Sequence, residues 1–229
     1  GPKEYDYVYP VDDQLKETWG ISERLRRMFN RREGSLCKSC GVNIRAQGLA
    51  QAILHSRHGF GARTLEEWVV LANDNFLRVC ELNSCHELHN TLKKIRNYTY
   101  AEYGTSSQED IENLSYKNDS FDLLLHSETI EHVNNPERAI NECRRVINDN
   151  GLVLYTTPVL WDRLTRRRAS ISKKGIELLL EPSHHGLKRD DYLVFFEYGR
   201  DIDKITKSSL VYTDSSSQNF VFCSTKKGQ

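Results

Sequence analysis

The amino-acid sequence predicts an α/β protein: a Rossmann-like, mainly parallel sheet with helices on both faces and a closing antiparallel hairpin, preceded by a mainly helical N-terminal region. Three observations carry this. From residue 76 onward, β-rich runs alternate with helical segments across short loops, the pattern of right-handed crossover units. The run Leu123-Leu124-Leu125 is continuously apolar, as a strand covered on both faces should be. The chain also closes on two strand-like runs, 209–213 and 220–224, spaced for a hairpin.

Composition sets the class. The 229 residues are 38% hydrophobic and 28% charged, which is globular and excludes disordered and collagen-like chains. Lys+Arg 32 balances Asp+Glu 32, so no global field draws the chain to nucleic acid or an anionic membrane. No run approaches the ~20 apolar residues of a membrane span. The six scattered cysteines suit a reducing compartment, so a cytoplasmic location is expected. Gly1-Pro2 reads as a protease scar, and further domains of a longer polypeptide are expected.

Taken in order, residues 1–74 form a helical arm or cap with a Cys-x-x-Cys pair, and 75–229 form the sheet domain. The first helix starts near Ser22, with Leu25, Met28 and Phe29 on its inner side, and the arm is expected to lack a core. A second covers 48–57, and a third follows Thr64, whose hydroxyl and Glu67 make a capping box. Residues 76–82, 98–103, 121–127 and 152–156 read as strands, with helices at 86–95 and 136–147 and another after Arg200. Pro136 begins its helix and Gly151 follows its end. The span from Tyr103 to Phe121 is too short for a helix plus a full strand, so a loop is expected there.

Candidate binding residues gather at the carboxyl ends of the first strands, where open α/β sheets take ligands. Glu81 is followed by Asn83-Ser84-Cys85-His86, a loop leading into a helix whose N–H groups can meet a ligand. Glu102, beside Tyr103, is placed to accept both hydroxyls of a ribose. Glu112-Asn113-Leu114 offers a polar group beside an aliphatic one, suited to an adenine edge and face.

The stretch from Ser120 to Val133 (SFDLLLHSETIEHV), then Pro136-Glu137-Arg138-Ala139, Arg144-Arg145-Val146 and Gly151-Leu152-Val153-Leu154-Tyr155-Thr156-Thr157-Pro158, resembles the central block of class I S-adenosylmethionine-dependent methyltransferases. Weaker similarity includes Cys37-Lys38-Ser39-Cys40-Gly41, Pro182-Ser183-His184-His185-Gly186 and the 191–199 segment. That wider pattern resembles a branch often linked to glycosyltransferase domains. The resemblance implies S-adenosyl-L-methionine as cofactor, with Arg45, Glu81, Asn83, Ser84, Glu102, Tyr103, Glu112, Asn113, Leu114, Ser127 and Glu128 around it. The family's glycine-rich loop after the first strand is absent here.

The expected activity is O-methylation of a sugar hydroxyl on a glycan. His185, His184 and His132 are the candidate catalytic groups, since a histidine near neutrality can take the acceptor's proton. Trp161 and Tyr192 would stack on a sugar ring, and Arg163 and Arg166 would grip an acidic or phosphorylated neighbour. No metal is required, although Asp162, Asp190 and Asp191 leave magnesium open. Cys37 and Cys40 have the spacing of half a zinc site, which Cys85 with His86 or His55 with His58 could complete, but a metal-free turn is expected. Two alternatives stand: another acceptor, whether protein, nucleic acid or small molecule, or an inactive methyltransferase-like binding module. The absence of an Asn/Asp-Pro-Pro-aromatic signature counts against a nucleic-acid base.

Overall fold

Leu123, Leu124 and Leu125 are fully buried in the middle of a six-stranded sheet, as their apolar run required. The computed structural model describes residues 4–105, 109–184 and 192–227. In the arm, β1 (Tyr5–Tyr7) is followed by α1 (Asp13–Trp19), α2 (Glu23–Gly34) and β2 (Ser35–Cys37), which pairs antiparallel with β1. Ser22 caps α2 by accepting the Leu25 N–H at 3.3 Å. The arm does have a core: Val11, Trp19, Ile21, Leu25 and Phe29 close on Leu160. The expectation of a bare arm fails because Trp19 and Phe29 pack edge to face, 5.5 Å apart.

The next helix, α3 (Ile44–His55), starts four residues before its predicted position because Asn43 caps it, accepting from the Ala46 N–H at 2.9 Å. It lies on the main sheet. Gly48 permits that approach, since a Cβ there would strike the buried Asn219 amide and the Tyr212 ring at 2.8 Å. Thr64 caps α4 (Leu65–Asp74), while Glu67 takes the Arg63 N–H at 2.9 Å instead of closing back on Thr64.

The sheet proper contains β3 (Arg78–Leu82), then α5 (His89–Leu92), β4 (Asn97–Ala101), β5 (Phe121–Ser127), α6 (Pro136–Val146) and β6 (Ile147–Thr156). The helix predicted at 86–95 shrinks to a 3-10 turn and the single turn of α5, and the chain enters that turn through His86 at a left-handed φ of 57°. Gly151 lies inside β6 and not past a helix end, since α6 runs directly into that strand. Among the described residues between β4 and β5 there is no strand, only an Asp110–Asn113 bridge.

After β6 the chain leaves the sheet for β7 (Val159–Leu160), β8 (Arg166–Arg167), the β9 (Ala169–Ser172) and β10 (Gly175–Leu178) hairpin, and β11 (Phe196–Gly199). It returns through α7 (Ile202–Thr206), β12 (Ser209–Asp214) and β13 (Asn219–Thr225). The strand order is β12-β13-β6-β5-β3-β4, parallel throughout except that β13 is antiparallel to both neighbours. Alternate strand residues face two cores. Val79, Leu123, Leu125 and Leu154 meet Leu49, Ile53 and Trp68 on one side, while Cys80, Leu124, Val153 and Tyr155 meet Ile140, Cys143 and Val146 on the other. Among the described residues no helix is long and apolar enough to cross a membrane.

Candidate functional site

The loop after β3 turns as a glycine loop would, without glycine. Asn83 has φ 58° and His86 φ 57°; asparagine is among the residues that enter this region at least cost. Asn83 also ties three strand ends together. Its N–H donates to the Ala101 carbonyl at 2.8 Å, its side-chain oxygen accepts from the Tyr103 N–H at 2.9 Å, and its amide donates to Thr129 Oγ1 at 3.2 Å.

Glu81 belongs to the scaffold of that loop. It is fully buried, accepts the Cys85 N–H at 2.7 Å, faces His89 Nδ1 at 2.8 Å and accepts from the Tyr98 hydroxyl. Its expected contact with the cofactor is corrected accordingly, because both oxygens are already engaged below the loop. Ser84 is exposed.

Glu102 lies half-buried at the end of β4 and accepts a hydrogen bond from Tyr100. Tyr103 beside it is exposed. The Glu112-Asn113-Leu114 segment is used differently from the expectation. Glu112 accepts from the Asn135 N–H at the entrance to α6, the Asn113 N–H donates to Asp110, and Leu114 is buried with its N–H on Glu142 at 3.0 Å. The polar groups there close the loop in place of the missing strand.

Over the carboxyl end of β5 sits an ion network that the sequence did not reveal. Fully buried Arg32 makes a two-pronged contact with Glu128, at 2.7 and 3.1 Å, and also meets Glu33 at 2.5 Å. Arg45 holds Glu33 through Nε at 2.9 and 3.1 Å and donates through Nη1 to Ser127, which pairs with Thr156 Oγ1 at 2.6 Å. Nothing in the sequence pairs residue 32 with residue 128, since each is one charge among many.

These residues fit the expected cofactor. Glu102 presents a carboxylate at the strand end, the loop backbone takes the glycine conformation, and the Glu33 carboxylate is a stand-in that shows the Arg45 guanidinium donating to a carboxylate.

Beside the ends of β4 and β5, four residues from separate segments converge. The His132 ring lies 5.7 Å from that of Tyr192, which lies 6.5 Å from that of Tyr103. His132 Nδ1 is 3.0 Å from the Leu193 carbonyl, so that nitrogen carries the proton and Nε2 the lone pair. Burial foremost, and then the nearby His184, lower the His132 pKa and keep the ring neutral. Glu131 beside it is held well above the carboxylate range by burial and by Glu128. His184 is exposed and bridges to Leu193, whereas His185 lies outside the described residues.

The expected grip of Arg163 and Arg166 on an acidic acceptor is corrected. Arg163 donates to the Trp19 and Gly20 carbonyls, each at 2.9 Å, and Arg166 is spent on Glu197 at 2.5 and 2.8 Å. They fasten the arm to the sheet domain. Trp161 stands apart from the His132 group, stacked on Phe220 at 5.0 Å and lining a cavity of about 300 Å³ with Arg200, Asp203 and Ser209. Among the described residues no group of three or more His, Cys, Asp or Glu could hold a metal ion.

Residues 59–155 match the family model described as "Methyltransferase domain". No curated protein matches the chain. Among solved structures, the chain is similar to DesVI of Streptomyces venezuelae, at 10% identity over 69% of this chain and 89% of that one, with a TM-score of 0.41. It is also similar to an S-adenosylmethionine-dependent methyltransferase of Mesorhizobium loti, at 14% identity over 70% and 98%, TM-score 0.36. A third is the [4+2]-cyclase SpnF, at 16% identity over 41% of this chain and 46% of that one, TM-score 0.31, so the chain spans under half of that protein's length. Residues 59–155 are thus similar to a methyltransferase domain.

Proposed function

We propose that the chain transfers a methyl group to a hydroxyl of a sugar. One observation carries this reading: Tyr103, His132, His184 and Tyr192, from four segments, meet at one mouth beside the ends of β4 and β5. S-adenosylmethionine supplies the methyl group when bound. Glu102 and Arg45 hold it from opposite ends of the crevice, and Asn83 fixes the loop between. The two exposed tyrosine faces orient a ring-shaped acceptor. Holding acceptor and donor in line contributes most of the rate.

His132 assists by taking the hydroxyl proton at Nε2, with Nδ1 anchored on the Leu193 carbonyl. Trp161 and its cavity offer a second platform for a longer glycan. Attachment to a glycosyltransferase-type polypeptide is consistent with such an acceptor, and so is a cytoplasmic site of action.

The test is transfer of radiolabelled methyl groups to panels of oligosaccharides, peptides and RNA. Label is expected in sugar, and His132→Ala should lower turnover by ~10²–10⁴-fold with cofactor affinity unchanged. The acid limb of the wild-type pH–rate profile should lie below the ordinary histidine value of ~6.5. Label confined to peptide or RNA would overturn the sugar reading, and cofactor binding with no transfer to any acceptor would leave a binding module.

A further inference from the structure

We propose that Cys37 and Cys40 are a reversible dithiol–disulfide site, closed by exchange with a small soluble disulfide. The pair lies outside the crevice, in the tight reversal between β2 and α3. There the N–H groups of Cys40 and Gly41 donate to the Cys37 carbonyl at 3.3 and 2.7 Å, and Gly41 takes the left-handed φ of 72° that the reversal needs. This places Cys37 and Cys40 at the two ends of one tight turn. Cys37 Sγ is also 3.1 Å from Ser39 Oγ.

The two sulfurs differ in the way that exchange requires. Cys40 is exposed and able to attack a disulfide in solution, while Cys37 is buried. The Ser39 hydroxyl and N–H, followed by the Cys40 groups, bring the Cys37 thiol down to about 7. The other cysteines lack this setting. Burial pushes Cys80, Cys85, Cys143 and Cys223 up and leaves them inert. A zinc role asks for further ligands, and among the described residues no third one gathers at the turn.

The chemistry balances without any other reagent. The Cys40 thiolate attacks one sulfur of oxidised glutathione, forming a mixed disulfide and releasing one glutathione thiolate. Cys37 thiolate then attacks Cys40 Sγ, forming the Cys37–Cys40 bond and expelling the second glutathione. Two protein thiols are oxidised and one disulfide is reduced to two thiols. The turn adjoins the cofactor loop, because a Cβ on Gly41 would lie 3.2 Å from the Glu87 side chain. It also adjoins the ion network, because Asn43 reaches Glu33 at 3.3 Å.

The test is intact mass and peptide mapping of the folded chain after oxidised glutathione, then after dithiothreitol. Wild type should lose two hydrogens in a 37–40 linkage and regain them on reduction. Cys37→Ser should instead accumulate glutathione on Cys40, and Cys40→Ser should take up none. An unchanged wild-type mass while Cys40 still reacts with iodoacetamide would overturn the proposal. So would one zinc per chain that survives dialysis and blocks both thiols. The wild-type measurement decides even if a variant folds poorly.

Discussion

Arg45 Nε lies 2.9 and 3.1 Å from the two oxygens of Glu33, so a buried, helix-borne guanidinium is held by a carboxylate from the arm. A cofactor carboxylate would compete for the same nitrogen. Arg45→Ala should weaken S-adenosylmethionine binding by about 1.5–3 kcal/mol, the range for a charged hydrogen bond. Glu33→Gln should do the reverse and tighten it, although the free protein melts earlier because Arg32 and Arg45 lose a counter-charge. Calorimetric titration of both variants checks this, and weaker binding by Glu33→Gln would remove the competition.

Glu102 should bear on the ribose end independently. Glu102→Ala is expected to cost about 1.5–3 kcal/mol of cofactor affinity and to leave the melting temperature of the free chain nearly unchanged, since the carboxylate is half-buried and its contact is with Tyr100. Combined with Arg45→Ala, the losses should add, because the two residues share no partner.

His126 makes the fold acid-sensitive. Its ring is stacked on Tyr155 at 4.7 Å, is fully buried, and has no hydrogen bond on either nitrogen. Burial outweighs the nearby Glu128 and pushes its pKa down to about 3. The folded chain therefore stays unprotonated there while the unfolded chain gains a proton below about 6.5. Stability is full above that value and falls by up to about 1.4 kcal/mol per pH unit as pH drops towards the folded value. Urea midpoints from pH 7 to pH 5 should show this slope in wild type, and His126→Phe should flatten it.

Gly48→Ala should destabilise the chain by roughly 1–3 kcal/mol, as overpacking does. Asn219 cannot swing away freely, being fully buried and donating to the Ile44 carbonyl at 2.7 Å. Thermal unfolding measures it. A Gly48→Ala protein as stable as wild type would show that α3 shifts at little cost.

How far the sequence could be read depended on whether a residue's role was local. The apolar strands at Val79 and Leu123 declared themselves because burial on both faces selects for apolar runs. Asn43, Ser22 and Thr64 act within three residues of themselves, yet the Asn43 cap still escaped, and α3 begins earlier than its apolar face suggested. The left-handed backbone of His86, at the start of a helix that proved short, is not something composition shows. Least legible were the ions: Arg163 and Arg166 look like free cations in the chain and are consumed by Trp19 and Glu197 in space. The convergence of Tyr103, His132 and Tyr192 likewise depends on the long excursion through β7 to β11.

The position of β13 has a consequence for synthesis. This strand is the last of the sheet's strands in sequence, yet it lies between β6 and β12 and not at a margin of the sheet. Until it arrives, the edge of β6 stays unpaired and α3, made some 170 residues earlier, has no floor for its Gly48 face. From the completion of β6 at Thr156 until β13 begins at Asn219, the nascent chain must therefore carry an open strand edge, the condition under which chaperone capture or edge-to-edge association competes with folding. Expression yield should respond to lesions in 219–225 more sharply than the modest length of that segment suggests.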